Sequence, residues 1–264
     1  MRNKLYGLIR GLRLSVSIPA GILVHIGSRL NNIETNWLLV ATISIICGLT
    51  MLTNDYYDRY HDRIKRRYFA WENDKLVLTC VIAGWLLVFG TTWIWLPHKL
   101  PLFIVCIVCI FYSISRYVYT LPILLTACVS ASAVLLPALG DNNHDSIDMF
   151  ITVFIAIFGR EILKDYENRT SDVKYKKTFF TENPPEEHAW WIRLSGFCLV
   201  LSAGKVIILS LAMDPLAHTI CITGAECILV SGLVLIFAGR VLKKFNSKTI
   251  FDIGMLLVLL SLCV

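Results

Sequence analysis

Three aspartates and an asparagine follow the second apolar run of this chain, in the stretch NDYYDRYHD that begins at Asn54. Asp55, Asp58 and Asp62 are spaced three and then four residues apart. In a helix, where each residue turns by about 100°, this spacing places them on one side. Asn54 shares that side because it lies four residues before Asp58. Crowded carboxylates repel one another unless a cation lies among them. The stretch therefore predicts a cation site.

A second acidic stretch, REILKDYENRTSD, repeats the same spacing farther along the chain. Oxygen donors of this kind suit Mg²⁺, which usually keeps waters or substrate phosphates in its shell. Two such faces at the same depth can converge on one site, where magnesium ions bridge a diphosphate. The predicted metal ligands are Asn54, Asp55, Asp58, Asp62, Asp165, Asn168 and Asp172.

Basic residues stand beside both acidic stretches and suit the remaining phosphate oxygens. We predict that Arg63, Arg116, Lys164 and Lys174 bind the diphosphate together with Asn54. Metal binding makes a diphosphate a better leaving group, and an allylic carbon then develops cationic character. Aromatic ring faces stabilise such a cation. The aromatic candidates are Tyr112, Tyr117, Phe111 and Phe154.

The elements that must position these residues are apolar helices. The chain has 264 residues, of which 56% are hydrophobic and 17% are charged, whereas soluble domains carry about 25% charged residues. This composition predicts one polytopic membrane domain over residues 1–264. The nine apolar runs that we interpret as spans cover residues 14–30, 37–53, 76–96, 100–118, 121–139, 147–163, 190–212, 216–239 and 249–264. The second and sixth runs are short for a bilayer, so their helices are expected to continue into the acidic stretches.

The lysines and arginines test this count of spans. With the N-terminus in the cytoplasm, 22 of the 25 lie in cytoplasmic segments, only Arg29 and Lys99 lie on the opposite side, and Lys205 lies within the seventh run. This asymmetry follows the positive-inside rule and places both acidic stretches on the cytoplasmic side. Because the basic residues follow membrane topology, the net charge of +6 does not indicate a nucleic-acid partner. The run after Arg13 lacks a small-x-small cleavage site and is expected to be a span rather than a signal peptide.

The two stretches resemble motifs of the UbiA superfamily of intramembrane prenyltransferases. NDYYDRYHD is similar to its first aspartate-rich motif, and REILKD most resembles the geranylgeranylglyceryl phosphate geranylgeranyltransferase branch. YSISR is similar to the Tyr-Ser-x-x-Lys segment of its fourth helix. The resemblance implies a helical barrel around a lipid-open cavity and magnesium-dependent prenyl transfer from a prenyl diphosphate to a hydrophobic acceptor. Carried onto this chain, it implies that Asp58, Asp165 and Tyr112 are catalytic and that Ser113 binds the diphosphate.

The chain also departs from that pattern. Asn168 stands where the second motif usually has an acid, and IKRRYFAWENDKL replaces the usual stretch after Asp62. The acceptor therefore stays open between an aromatic ring and a lipid hydroxyl. Two other functions also stay open. A terpene cyclase would use the same metal site, whereas a cation or proton-coupled transporter would hold its carboxylates nearer the bilayer midplane. Acidic residues beside a span can also be no more than a solvated loop.

Overall fold

The computed structural model describes residues 2–59, 69–96, 99–115, 121–138, 144–172, 180, 185–211, 215–238 and 247–263. Within these ranges the secondary structure is helical. The helices are α1 (Arg2–Gly11), α2 (Leu14–Leu30), α3 (Trp37–Tyr57), α4 (Phe69–Glu72), α5 (Asp74–Trp95), α6 (Lys99–Ser115), α7 (Leu121–Leu135), α8 (His144–Asp172), α9 (Pro185–Ser210), α10 (Pro215–Ala238) and α11 (Ser247–Cys263). A short 3₁₀ turn, Leu136–Ala138, follows α7.

A helix lies at each of the nine predicted apolar runs. The expected extensions are confirmed: α3 runs to Tyr57 and α8 runs to Asp172, so both helices enter the acidic stretches. Four described helices are long and apolar enough to cross a membrane, and these are Trp37–Tyr57, Asp74–Trp95, Glu187–Ser210 and Pro215–Phe237. Phe237 is 82% exposed. Large apolar side chains on the surface are typical of a lipid-facing protein. Nine membrane crossings stay a prediction.

The chain divides into two compact units. The first unit contains Met1–Arg116 and Ala133–Asn142, and the second contains Tyr117–Ser132 and Asn143–Val264. The first acidic stretch, here called the first motif, lies in the first unit. The second acidic stretch, the second motif, lies in the second unit. Each unit therefore positions one motif.

Helix α3 is the packing centre of the first unit, where it contacts α1, α2, α5 and α6. Its first turn is capped by Asn36, whose side-chain oxygen accepts a hydrogen bond from the backbone N–H of Leu39 at 3.1 Å. Near its other end, the indole Nε1 of Trp85 donates to the hydroxyl of Thr53 at 3.0 Å. Thr53 is buried. This bond ties α5 to α3 one residue before the first motif begins.

Glycine contacts bring α9, α10 and α11 of the second unit together. A Cβ added at Gly232 would lie 2.7 Å from the carbonyl oxygen of Gly196, and one added at Gly224 would lie 2.6 Å from that of Gly254. Small residues at such crossings let helix backbones approach closely in a membrane. Helix α8 joins this group through Ser195, whose buried hydroxyl donates to the carbonyl oxygen of Gly159 at 2.6 Å. The second motif is thus carried by a helix that packs tightly on its neighbour.

Candidate active site

The first motif lies at the C-terminal end of α3. Asn54 and Asp55 occupy the last helical turn, and Asp58 is the capping residue, with its backbone N–H donating to the carbonyl oxygen of Asn54 at 2.9 Å. Asn54 is buried, and Asp55 and Asp58 are partly buried. Acids are disfavoured at this end of a helix, where the macrodipole is negative. A cation close to Asp55 and Asp58 would offset this unfavourable interaction.

Arg13 supplies one such cation. Its guanidinium Nη2 lies 2.7 Å from Oδ1 of Asp55 and forms an ion pair with it. Arg13 also adopts a left-handed backbone conformation, with φ of 46°, at the start of α2. Non-glycine residues adopt this conformation rarely, and they often do so where function demands it. The sequence predicted a topological role for Arg13 but not its contact with the first motif, because Arg13 and Asp55 lie 42 positions apart.

Tyr112 and Ser113 lie on the last turn of α6, which packs against α3. The structure thus brings the helix that carries these two residues to the helix that carries the first motif. Ser113 is fully buried, and its hydroxyl donates to the carbonyl oxygen of Cys109 at 3.4 Å. Tyr112 is partly buried. Their roles toward a diphosphate stay predictions.

Several predicted site residues lie outside the described part of the chain. These residues are Asp62, Arg63, Arg116, Tyr117 and Lys174. The backbones of Asn168 and Asp172 are helical, but their side chains are outside the description as well. In the first motif, the structure therefore describes the predicted metal ligands Asn54, Asp55 and Asp58.

The second motif lies on α8, and its best-described part is a connected set of charged side chains. Glu161 is buried, with its carboxylate between two cations. Its Oε1 lies 2.7 Å from Nη1 of Arg160, and its Oε2 lies 2.6 Å from Nζ of Lys164. Asp165, one turn farther on, is also buried at 7% exposure. Glu161 and Asp165 share one side of α8 because they are four residues apart.

A fourth charged residue joins this set from another helix. Oδ1 of Asp252 on α11 lies 2.8 Å from Nε of Arg160. We call the connected residues Asp252, Arg160, Glu161 and Lys164 the ion chain. Neither Asp252 nor Glu161 is among the site residues predicted from the sequence. A signal for Glu161 was present, since it lies four residues before Asp165 and beside two bases.

An aromatic stack occupies the same side of α8. The rings of Phe150 and Phe154 are 6.3 Å apart, and those of Phe154 and Phe158 are 6.0 Å apart. Steps of three or four residues keep these three rings and the two buried carboxylates within one sector of the helix. The predicted aromatic candidate Phe154 therefore belongs to a row that leads toward the second motif. Phe111, by contrast, is 51% exposed on α6.

The donor set of the motifs fits magnesium in its chemistry. Asn54, Asp55, Asp58 and Asp165 offer only oxygen ligands, as a hard divalent cation requires. Among the described side chains, no three histidine, cysteine or acidic groups form a cluster that could hold an ion. The remaining predicted ligands lie outside the described side chains.

A comparison with solved structures decides the fold. A structure concerned with digeranylgeranylglyceryl phosphate synthase in membranes matches this chain with a TM-score of 0.63 and 19% sequence identity, over 98% of this chain and 97% of that one. The chain has the fold of that synthase. The helical fold that the motifs implied is therefore confirmed. No protein-family model and no curated protein matches the sequence.

Proposed function

We propose that this protein is a membrane prenyltransferase that uses Mg²⁺ to transfer a prenyl group from a prenyl diphosphate to a hydrophobic acceptor. The observation that carries the proposal is the pairing of acidic motifs with cations on α3 and α8, in a chain with the synthase fold. An isolated solvated loop would not bury Asn54, Glu161 and Asp165. Buried charges persist where they are paired or hold metals.

Each group has an assigned role in this proposal. Asn54, Asp55, Asp58 and Asp62 hold metal in the first motif, and Asp165, Asn168 and Asp172 hold it in the second. Magnesium, when bound, neutralises the diphosphate and so favours its departure. Lys164 donates to phosphate oxygens, as do Arg63, Arg116 and Lys174, and Ser113 offers a hydroxyl to them.

Tyr112 and the Phe150–Phe158 row face the prenyl chain in this proposal. Their ring faces stabilise positive charge as the bond to the diphosphate lengthens. The acceptor then attacks the allylic carbon through an oxygen or an aromatic carbon and loses a proton. The charge asymmetry of the sequence supports a cytoplasmic location for the N-terminus and for both motifs in this proposal.

A prenylated glyceryl phosphate is the first acceptor to test, because the similar synthase is named for a glyceryl phosphate that carries two geranylgeranyl groups. The aromatic row on α8 favours a terpene cyclase as the second candidate function. Such a row can guide a carbocation that has no external acceptor.

One experiment separates these functions. Purified protein is incubated with Mg²⁺ and with geranyl, farnesyl or geranylgeranyl diphosphate, with and without geranylgeranylglyceryl phosphate or a membrane extract. Mass spectrometry then identifies all products. A prenylated acceptor supports the transferase, whereas a cyclic hydrocarbon or alcohol formed without acceptor supports the cyclase. Recovery of every diphosphate unchanged under all conditions would refute both.

The matched control for this experiment is Asp148→Asn. Asp148 lies on α8, as Asp165 does, but it is 57% exposed and pairs with Lys205 at 2.8 Å. Asp165→Asn should abolish turnover, and Asp148→Asn should retain it. Equal loss in both variants would mean that any missing acid on this helix disturbs the protein.

A further inference from the structure

Helix α11 carries one acidic residue, Asp252, that has no role in the proposed chemistry. Asp252 is the only acid in α11, a helix that is otherwise largely apolar. It lies near the start of the helix and is 43% exposed. Ionisable residues within apolar membrane helices are costly and usually mark a function. The partner that Asp252 contacts is Arg160, on the helix of the second motif.

In the ion chain, Arg160 contacts two carboxylates through different nitrogen atoms. Arg160 uses Nε for Asp252 and Nη1 for Glu161. The guanidinium thus donates to Oε1 of Glu161. The other oxygen, Oε2, accepts a hydrogen bond from Nζ of Lys164 at 2.6 Å. In this arrangement Lys164 has a fixed position one residue before Asp165.

Removing the Asp252 carboxylate would change how Arg160 meets Glu161. A guanidinium edge matches a carboxylate in a bidentate geometry, with two parallel N–H···O bonds. With Nε released, Arg160 can turn that edge toward Glu161 and occupy both of its oxygens. Lys164 then loses the acceptor that Oε2 of Glu161 supplies. Asp252 thus prevents Arg160 from forming a bidentate pair with Glu161 that would displace Lys164.

We propose that Asp252 is a positioning residue of the second motif, which acts through Arg160 and Glu161 to keep Lys164 in place for the donor diphosphate. This inference rests on the proposed function for the identity of the ligand. The arrangement of the four side chains stands independently of that function. A positioning role also gives a reason for an acid in a largely apolar helix, since an exposed ion pair by itself contributes little to stability.

Steady-state kinetics with geranylgeranyl diphosphate test the consequence for binding. Asp252→Asn and Arg160→Lys should each raise KM for the diphosphate about tenfold, because a displaced lysine loses a contact made in both ground and transition states. The kcat should change by less than about threefold. Asp252→Glu should restore KM, and Asp148→Asn should leave it unchanged. Arg160→Lys keeps every charge but cannot bridge two carboxylates in the same way.

These variants also separate positioning from a merely structural role. A destabilised protein has fewer active molecules, so its kcat would fall while its KM stayed the same. An unchanged KM in Asp252→Asn would overturn the proposal, whatever happens to kcat. If the substitution removed a simple repulsion of the anionic substrate, KM would fall, and that result would overturn it too.

A second measurement needs no turnover. The Lys164 amine is acylated with an N-hydroxysuccinimide ester in purified full-length protein at one fixed pH, and the modified peptide is quantified by mass spectrometry. Asp252→Asn and Arg160→Lys should increase acylation of Lys164 severalfold over the wild type. Asp148→Asn should instead increase acylation of Lys205 alone. Unchanged Lys164 acylation in both ion-chain variants would overturn the inference even in an active enzyme. Increased acylation in a protein that turns over no prenyl diphosphate would refute the proposed function and leave the positioning arrangement standing.

Discussion

Replacing Glu161 by Gln should destabilise the protein far more than replacing Asp148 by Asn, although both acids lie on α8 and both pair with a lysine. The Glu161 side chain is 7% exposed and contacts two cations, whereas Asp148 is 57% exposed and contacts one. A glutamine at 161 keeps one acceptor oxygen but turns an N–H group toward a cation. The contrast isolates the effect of burial on an ion pair.

The expected magnitude follows from what the partners can still do. Breaking a buried pair by removing one partner costs about 3–5 kcal/mol. Arg160 would keep Asp252, and Lys164, at 32% exposure, can still reach solvent. We therefore expect the lower end of that range, about 3 kcal/mol, for Glu161→Gln. An exposed pair contributes about 0–1 kcal/mol, which is the loss expected for Asp148→Asn.

Reversible unfolding in mixed micelles, with increasing sodium dodecyl sulfate and detection by circular dichroism, measures both losses. A difference of 2 kcal/mol or more between the variants, about 30-fold in the unfolding equilibrium, is expected. Equal losses would refute the argument that burial makes the Glu161 pairs matter. A more stable Glu161→Gln variant would show instead that desolvation of the carboxylate outweighs its two contacts.

The other predictions concern the metal, the topology and the helix packing. Asp58→Ala or Asp165→Ala should abolish prenyl transfer and leave the circular dichroism spectrum intact, and EDTA should inhibit the wild type; activity that survives chelation would contradict the magnesium mechanism. A cysteine introduced at Asn142, in a loop without basic residues, should be labelled from the outside; labelling only from the cytoplasmic side would contradict the nine-span topology. Gly232→Val should lower the free energy of unfolding by about 1–3 kcal/mol in the same assay, because its Cβ would lie 2.7 Å from the Gly196 carbonyl oxygen. Gly204→Val should lower it by less, because a Cβ at Gly204 meets no atom within 4 Å.

The helices could be predicted from the sequence because apolar length and polar breaks are local signals. The continuation of α3 and α8 into acidic residues followed from the shortness of their apolar runs. The helical fold was implied by two motifs and is confirmed by its match to the structure of digeranylgeranylglyceryl phosphate synthase at 19% identity. Helices α1 and α4 were not predicted, since one was counted only for its charges and the other has four residues.

The pairing of charged residues could not be predicted, because it depends on which helices pack together. Arg13 meets Asp55 across 42 positions, and Arg160 meets Asp252 across 92. No spacing rule connects residues so far apart, and the sequence supplied no alternative signal. Glu161 is a different case. Its position one turn before Asp165 is evident in the sequence. Arg160 and Lys164, on either side of it, were interpreted as phosphate ligands, and their pairing with Glu161 was not predicted.

The separation of Arg160 and Asp252 along the chain has a consequence during synthesis. At about 5–20 residues per second, a ribosome needs roughly 5–20 seconds to add the 92 positions between them. During that interval α8 has been synthesised and α11 has not. Of the two carboxylates that Arg160 contacts, only Glu161 is then present. The charge pairing of Arg160 is therefore completed only after α11 has been made. A nascent chain stalled before α11 would lack the ion pair between Arg160 and Asp252, and Arg160 would then have Glu161 without its second carboxylate.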